Sequence, residues 1–513
     1  MRATSIDRAL VAEPGVNCWR VDRAHRFFCI QDAANYFRLV REAMLRARHT
    51  VFILGWDTMA NTDLLPGETC AAGPTILAPL LRHIARRSPL LQIYLLTWDY
   101  ASVYAFERDP FARLKFGWRM PRNLHFAFDA RHPLGGSHHQ KVVVIDDELA
   151  FCGGIDLTGH RWDTCQHRVQ EPLRLNASDE PYEPYHEVQA MVDGPSAAAL
   201  GTLARDRWRA LGKTSLPRLR KPDTSLWPEH VPPDLLDVDV MIARTMPGVE
   251  DDPEVRENEA LFFDAIRSAE RTIYVESQYF TNSRIAEAFA DRLRDPGGPE
   301  LILVSPRICH GWLEQQTVGA FRSEAFQMLV AADRCKRLRI VYPAASRAQD
   351  VPTFVHSKVM IVDDTFVRIG SANISNRSMA VDTECDVAVE AAGNARTRGG
   401  IRRIRDRLLA EHLHMRSTEV CREIEHAGSV RAVVDAHMRE DRCLAPIEVT
   451  TGAPDVSPVL KAAADPEAPL SEAPASRGLL SMAQAAVNLI ARATPVVRKR
   501  VKRRPRRRWA EFG

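Results

Sequence analysis

The chain has 513 residues, 45% of them hydrophobic and 26% charged, which is ordinary for a globular protein and enough for two core-bearing domains. Its net charge of +3 is unevenly spread: residues 498–508 hold nine cations and no anion, so the remainder carries −6, which argues against a surface that coats nucleic acid. Ten scattered cysteines show no C-x-x-C or metal-ligand spacing and read as reduced thiols of a cytosolic protein, and no apolar run reaches the roughly 18 residues of a membrane span.

Residues 1–14 carry no strong pattern and read as a loose arm. An apolar stripe at helical spacing (Phe37, Val40, Ala43, Met44) predicts a helix over 33–48, running into a strand over 50–56. The alternation continues with a helix over 75–87 and strands over 91–97, 123–128 and 186–192. A helix over 196–211 closes the first half. Residues 211–237, rich in Pro, Lys and Thr, read as the crossover. The second half repeats the order: helix 255–269, strand 272–276, helix 284–294, strand 300–304, helix 313–332, strand 338–342, and a last helix over 395–415. Helices alternating with β-branched strands predict an α/β fold, with lobes over 15–235 and 236–440. The Pro/Ala/Ser-rich stretch 441–478 is expected to be a disordered linker. In 479–513, Leu479, Leu480, Ala483, Val487, Ile490 and Ala491 recur at helical spacing before the basic cluster, a pattern suited to an amphipathic helix on anionic lipid or to a helix with a solvated tail.

One stretch occurs twice. His139-Gln140-Lys141 leads through an apolar run to Asp146, then Gly153, Gly154 and Asp156; His356-Ser357-Lys358 leads in the same way to Asp363, then Gly370, Ser371 and Asn373. The offset between copies is 217 at every one of these positions, which indicates duplicated halves. Alternate residues of an extended chain share a face, so each copy presents an imidazole beside an ammonium. The small residues after each Asp would let backbone approach a ligand, and Ser371 and Asn373 could add donors. Each copy is thus half of a phosphate site.

At these residues the chain resembles the phospholipase D superfamily. The second copy has that family's pattern in full; the first, with Gly153-Gly154-Ile155-Asp156-Leu157 and Arg161-Trp162-Asp163, looks like its phospholipid-cleaving branch. Tyr185-His186-Glu187, Ile273–Phe280 and Arg377-Ser378-Met379 through Glu384 match as well, and the similarity runs from about Gly15 to Met415. The resemblance implies two similar lobes about a pseudo-twofold axis, each a mixed sheet flanked by helices. It implies that neutral His139 attacks phosphorus to give a phosphohistidine while protonated His356 donates to the leaving alcohol and then activates water or a primary alcohol. Lys141, Lys358, Asn373 and Ser371 would bind phosphoryl oxygens, and Glu187 and Glu384 would hydrogen-bond the two histidines.

Asp146 and Asp363, five residues beyond each lysine, are expected to be structural, with Gly153, Gly154, Asp156 and Gly370 completing the motifs. His138 and His160 read as neighbours, Trp56-Asp57 and Trp98-Asp99 as packing, and Gln278 receives no role. No cofactor is implied, and no carboxylate or histidine cluster in the sequence suggests a metal. The expected partner is a phospholipid at a membrane surface, the enzyme being cytoplasmic or peripheral on the inner face of the membrane. Both half-sites lie in one chain, so a monomer suffices. A transferase of the cardiolipin-synthase type is the closest rival, although the N-terminal transmembrane helices usual there are missing. A nuclease would favour a basic groove, and a non-enzymatic lipid scaffold would not need all four motif His and Lys residues.

Overall fold

The computed structural model describes residues 12–99, 121–249 (without 134, 177, 213–215 and 218–224), 252–308, 312–449 and 465–469. The stretch expected to form an amphipathic helix and basic tail, 479–513, lies outside the described residues, as do residues 1–11 of the expected arm.

Two sets of seven strands pair into one continuous mixed sheet. From the centre outward, the first set is Arg20–Gln31, Val188–Asp193, Leu149–Gly153, Val142–Ile145, Thr50–Gly55, Gln92–Trp98 and Leu124–Asp129. The second set is Leu235–Met246, Glu384–Glu390, Phe366–Gly370, Lys358–Val362, Thr272–Ser277, Glu300–Val304 and Leu338–Ser346. The outer three strands of each set are parallel and the rest antiparallel, so the lobes match strand for strand. They join where Arg20–Gln31 pairs antiparallel with Leu235–Met246. These two central strands were not expected from the sequence. Arg-Val-Asp-Arg-Ala-His-Arg at the start of the first is polar and partly exposed, which conceals the apolar residues that follow.

The motif strands are apolar over Val142–Ile145 and Val359–Val362 because both of their faces are covered. Val142 and Val144, with Val359 and Ile361, enter a core shared by the two lobes and by helices Pro195–Ala210 and Ala395–Leu413. Val143 and Ile145 instead face helices Ala33–Arg46 and Leu77–Arg87, while Met360 and Val362 pack against Glu257–Ser268, Ser283–Arg294 and Trp312–Ala332.

The core does not end at 415: helices Ser417–Ala427 and Val430–His437 follow. Cys443–Pro446, expected at the head of a disordered linker, is instead a strand on the edge of Leu338–Ser346. Asp465, also in that expected linker, is buried and accepts hydrogen bonds from Thr281 Oγ1 and the backbone N–H groups of Asn376 and Arg377. Apolar content alone missed both, because each is held by backbone pairing or a single buried carboxylate rather than by a hydrophobic face.

Asp146 and Asp363 occupy equivalent tight turns at φ 53° and 51°. Asp146 accepts from the N–H groups of Arg48, His49 and Thr50 at 2.7–2.8 Å, and Asp363 from those of Glu270, Arg271 and Thr272 at 2.8–3.0 Å. Each carboxylate thereby ties the end of a motif strand to the start of its neighbour. Asp363→Ala leaves three backbone donors without their acceptor and should cost about 2–4 kcal/mol, read as a lower denaturant midpoint; a change within about 0.5 kcal/mol would remove this bracing role.

Candidate active site

Each motif histidine sits just before its strand and is tied to the opposite lobe. The His139 N–H donates to Thr383 O at 2.9 Å, beside a parallel bridge between His138 and Thr383. The His356 N–H donates to His186 O at 3.0 Å, where the short strands Phe354–Val355 and Tyr185–His186 pair in parallel. The residue after each accepting carbonyl is an acid. His139 Nδ1 therefore lies 3.0 Å from both carboxylate oxygens of Glu384, and His356 Nδ1 bonds Glu187 Oε2. The acids are exchanged: each lobe supplies the carboxylate for the other lobe's imidazole. In both pairs Nε2 is the ring nitrogen left for chemistry.

The lysines follow the same symmetry. Lys141 Nζ donates to His139 O at 3.0 Å, and Lys358 Nζ donates to His356 O. Beyond that the lobes differ. Lys141 pairs with Asp156 at 3.1 Å, whereas Lys358 meets the uncharged Gln278 at 3.3 Å, giving that glutamine a place in the site. Lys141 and Lys358 bear electrostatically on both imidazoles, so the two half-sites lie close together. Arg161 adds a third cation. Its guanidinium lies over the Tyr185 ring at 5.2 Å and bears on His356, Lys358 and Glu187.

Several motif residues do something other than expected. Ser371, a candidate phosphate ligand, is fully buried; its hydroxyl donates to Glu384 Oε2 at 2.5 Å and accepts from Cys385 N at 3.0 Å, so it holds the acid instead. Ser378 donates to Glu384 Oε1 at 2.6 Å and shares that task. The sequence contained Ser378 within a matching segment but gave no signal for its contact. Asn373 is buried, with its Oδ1 lacking a hydrogen-bond partner. The glycines make room for protein rather than ligand. A Cβ on Gly154 would stand 2.1 Å from Glu187 Oε1, and one on Gly370 would stand 1.8 Å from Asp386 Oδ1, the carboxylate paired with buried Arg368. Gly153 is pressed in the same way against Gln189. His138 is buried between Asp129 at 3.1 Å and Thr383 Oγ1 at 3.2 Å, and burial lowers it to about 4.

Burial, then the two lysines, hold His139 well below the ordinary histidine range; His356 is lowered by burial, then Lys358, Arg161 and Lys141. Burial pushes Glu384 up to about 8 and Glu187 up to about 7, against the pull of their hydrogen-bond donors and nearby cations. Each His–Glu pair thus holds a proton more tightly than a free carboxylate does, shared across the Nδ1 contact. Nε2 can stay unprotonated and nucleophilic, while an incoming phosphate anion offsets the cations and raises the imidazoles. Burial lowers Lys358 to about 7. Among the described residues, clusters with metal-holding geometry occur at Asp32, His167, His186 and Glu411 and at His186, Glu276 and His412, behind the pocket and not on the motif residues.

Two outcomes follow from this geometry. Glu384→Gln should lower kcat about 100-fold or more by releasing the His139 tautomer, with little change in KM; an unchanged kcat would dissociate this acid from the chemistry. Because kcat/KM reports the free enzyme, it should fall as pH rises through about 7, where Lys358 loses its proton. In Lys358→Arg that alkaline limb should move upward, and a limb at the same pH in both proteins would assign it to another group.

Residues 126–229 match the family model described as phospholipase D, and residues 262–397 match the one described as cardiolipin synthase, PLD-like domain. Phospholipase D alpha 1 of Carica papaya is 25% identical over 73% of this chain and 63% of its own length; the Oryza sativa protein of the same name is 27% identical over the same shares. The chain thus spans under two thirds of the length of these relatives. The phosphatidylserine synthase of Haemophilus influenzae overlays on 80% of this chain and 95% of its own, with a TM-score of 0.49 at 11% identity. The two family matches fall one on each lobe and each takes in one copy of the duplicated motif: the chain belongs to the phospholipase D superfamily.

Proposed function

We propose that this protein is a phospholipase D, hydrolysing the headgroup phosphodiester of a glycerophospholipid to phosphatidate and free alcohol. The observation that supports the reading is the exchange of Glu187 and Glu384 between lobes, which anchors both imidazoles through Nδ1 within the field of two lysines. His139 Nε2 attacks phosphorus as the P–O bond to the headgroup breaks, and His356 gives its Nε2 proton to the departing alkoxide. His356 then takes a proton from water, and the resulting hydroxide displaces His139 from phosphorus. An alcohol in place of that water gives a phosphatidyl alcohol. Lys141 and Lys358, with Asn373, balance charge on the non-bridging oxygens.

In this reading the substrate lies in a membrane surface, and residues 479–513 supply attraction to anionic lipid. No helix among the described residues is long and apolar enough to cross a membrane. A second reading, phosphatidyl transfer between two lipids, is supported by the cardiolipin-synthase description of the model matched by residues 262–397. It uses the same intermediate with a hydroxyl of the second lipid as acceptor.

Incubation with vesicles of mixed phospholipids and a primary alcohol, followed by mass spectrometry, should yield phosphatidate and phosphatidyl alcohol, and His139→Ala and His356→Ala should abolish both. Cardiolipin without phosphatidate would favour the transferase. Cleavage of single-stranded DNA with no lipid product, or lipid turnover surviving either substitution, overturns the assignment.

A further inference from the structure

Behind Glu187 lies a second cluster of chemical groups that the proposed reaction does not use. His186 Nδ1 and His167 Nε2 stand 2.7 and 2.8 Å from the same oxygen, Glu411 Oε1. The Asp32 carboxylate faces these two nitrogens at 3.4 and 3.7 Å. All four side chains are buried, and their candidate ligand atoms lie within 4.8 Å of one another. The far nitrogens of both rings are also committed: His186 Nε2 is 2.8 Å from Glu276 Oε2, and His167 Nδ1 is 3.0 Å from Asp163 Oδ2. Each imidazole therefore gives its outer N–H to a carboxylate and turns its inner nitrogen to a common point, as metal-ligating histidines do.

A network of two imidazoliums shared among carboxylates could satisfy most of the same contacts. A divalent ion carries the charge of the two protons it would displace, so net charge does not separate the alternatives. Asp32 does. Its Oδ2 is buried without any hydrogen-bond partner, although it faces into the cluster. A proton network gains by turning that oxygen onto a donor, whereas a metal ligand needs none. Asp32 also sits at φ 62°, ψ 155°, a conformation costly for a residue with a Cβ and kept where the surroundings demand it.

We propose that Asp32, His167, His186 and Glu411 bind one divalent ion of the zinc class, a lobe-bridging site separate from the phosphate pocket. Two imidazole nitrogens and two carboxylate oxygens in a closed, buried setting suit zinc better than calcium or magnesium, which take more oxygens. Tetrahedral bonds of about 2.1 Å would spread the ligand atoms to roughly 3.4 Å, a small outward movement of Glu411. Asp32, His167 and His186 come from the first lobe and Glu411 from helix Ala395–Leu413 of the second. The ion would also brace the chemistry, since Asp32 N–H donates to Glu187 O at 2.8 Å and His186 O accepts from His356 N–H.

The test is elemental analysis of the full-length protein after chelator treatment and dialysis against zinc, with cobalt uptake followed by visible absorption. About one zinc per chain and the intense bands of four-coordinate cobalt are expected. The Asp32→Asn/Glu411→Gln double variant should lose both, while His139→Asn should retain the ion. Uptake by the wild type below roughly a tenth of an equivalent, a six-coordinate cobalt spectrum, or undiminished uptake by the double variant overturns the proposal. If the double variant fails to fold, the wild-type stoichiometry and cobalt spectrum decide.

Discussion

The structure depends on an exchange of carboxylates. Glu384 reaches His139 and Glu187 reaches His356, each across the boundary between lobes, and each histidine N–H is bonded to the carbonyl just before its acid. Neither lobe therefore contains both a motif histidine and the acid that holds its Nδ1. Lobe packing and imidazole orientation are fixed by the same contacts, so a shift of one lobe would cost both tautomers together. Burying carboxylates in this way is unfavourable unless each finds charge or donors. Glu384 finds two serine hydroxyls, and Glu187 lies within the field of Lys358 and Arg161.

The symmetry is close in the backbone and broken in the side chains. Strand order, strand direction, the Asp146 and Asp363 braces and both histidine ties repeat from lobe to lobe. The lysine environments do not: one ammonium faces the carboxylate of Asp156, the other an amide. Two imidazoles set in the same backbone geometry thus experience different fields, as the proposed division of roles between them requires.

Most of the outer architecture was legible from periodicity. The helix expected over 33–48 is Ala33–Arg46, and the strand expected over 300–304 is Glu300–Val304. The paired His-x-Lys motifs were legible because they occur twice in register. What the sequence concealed was tertiary. Nothing local says that Ser371 turns to Glu384 rather than to a ligand, or that Gly154 is small because Glu187 stands against it. Of the two central strands, Arg20–Gln31 is concealed by its polar opening residues and the start of Leu235–Met246 falls within the expected crossover, yet together they join the whole molecule.

That central seam has a historical reading. Arg20 faces Ile242 and Phe27 faces Leu235, so each strand meets its counterpart as it would meet its own copy in an isologous dimer. Half-chains of one kind, associating edge to edge about a twofold, would have formed this interface without any linker. Tandem fusion would then have freed the two copies from identity, letting Asp156 and Asn373 diverge at positions that a homodimer must keep the same.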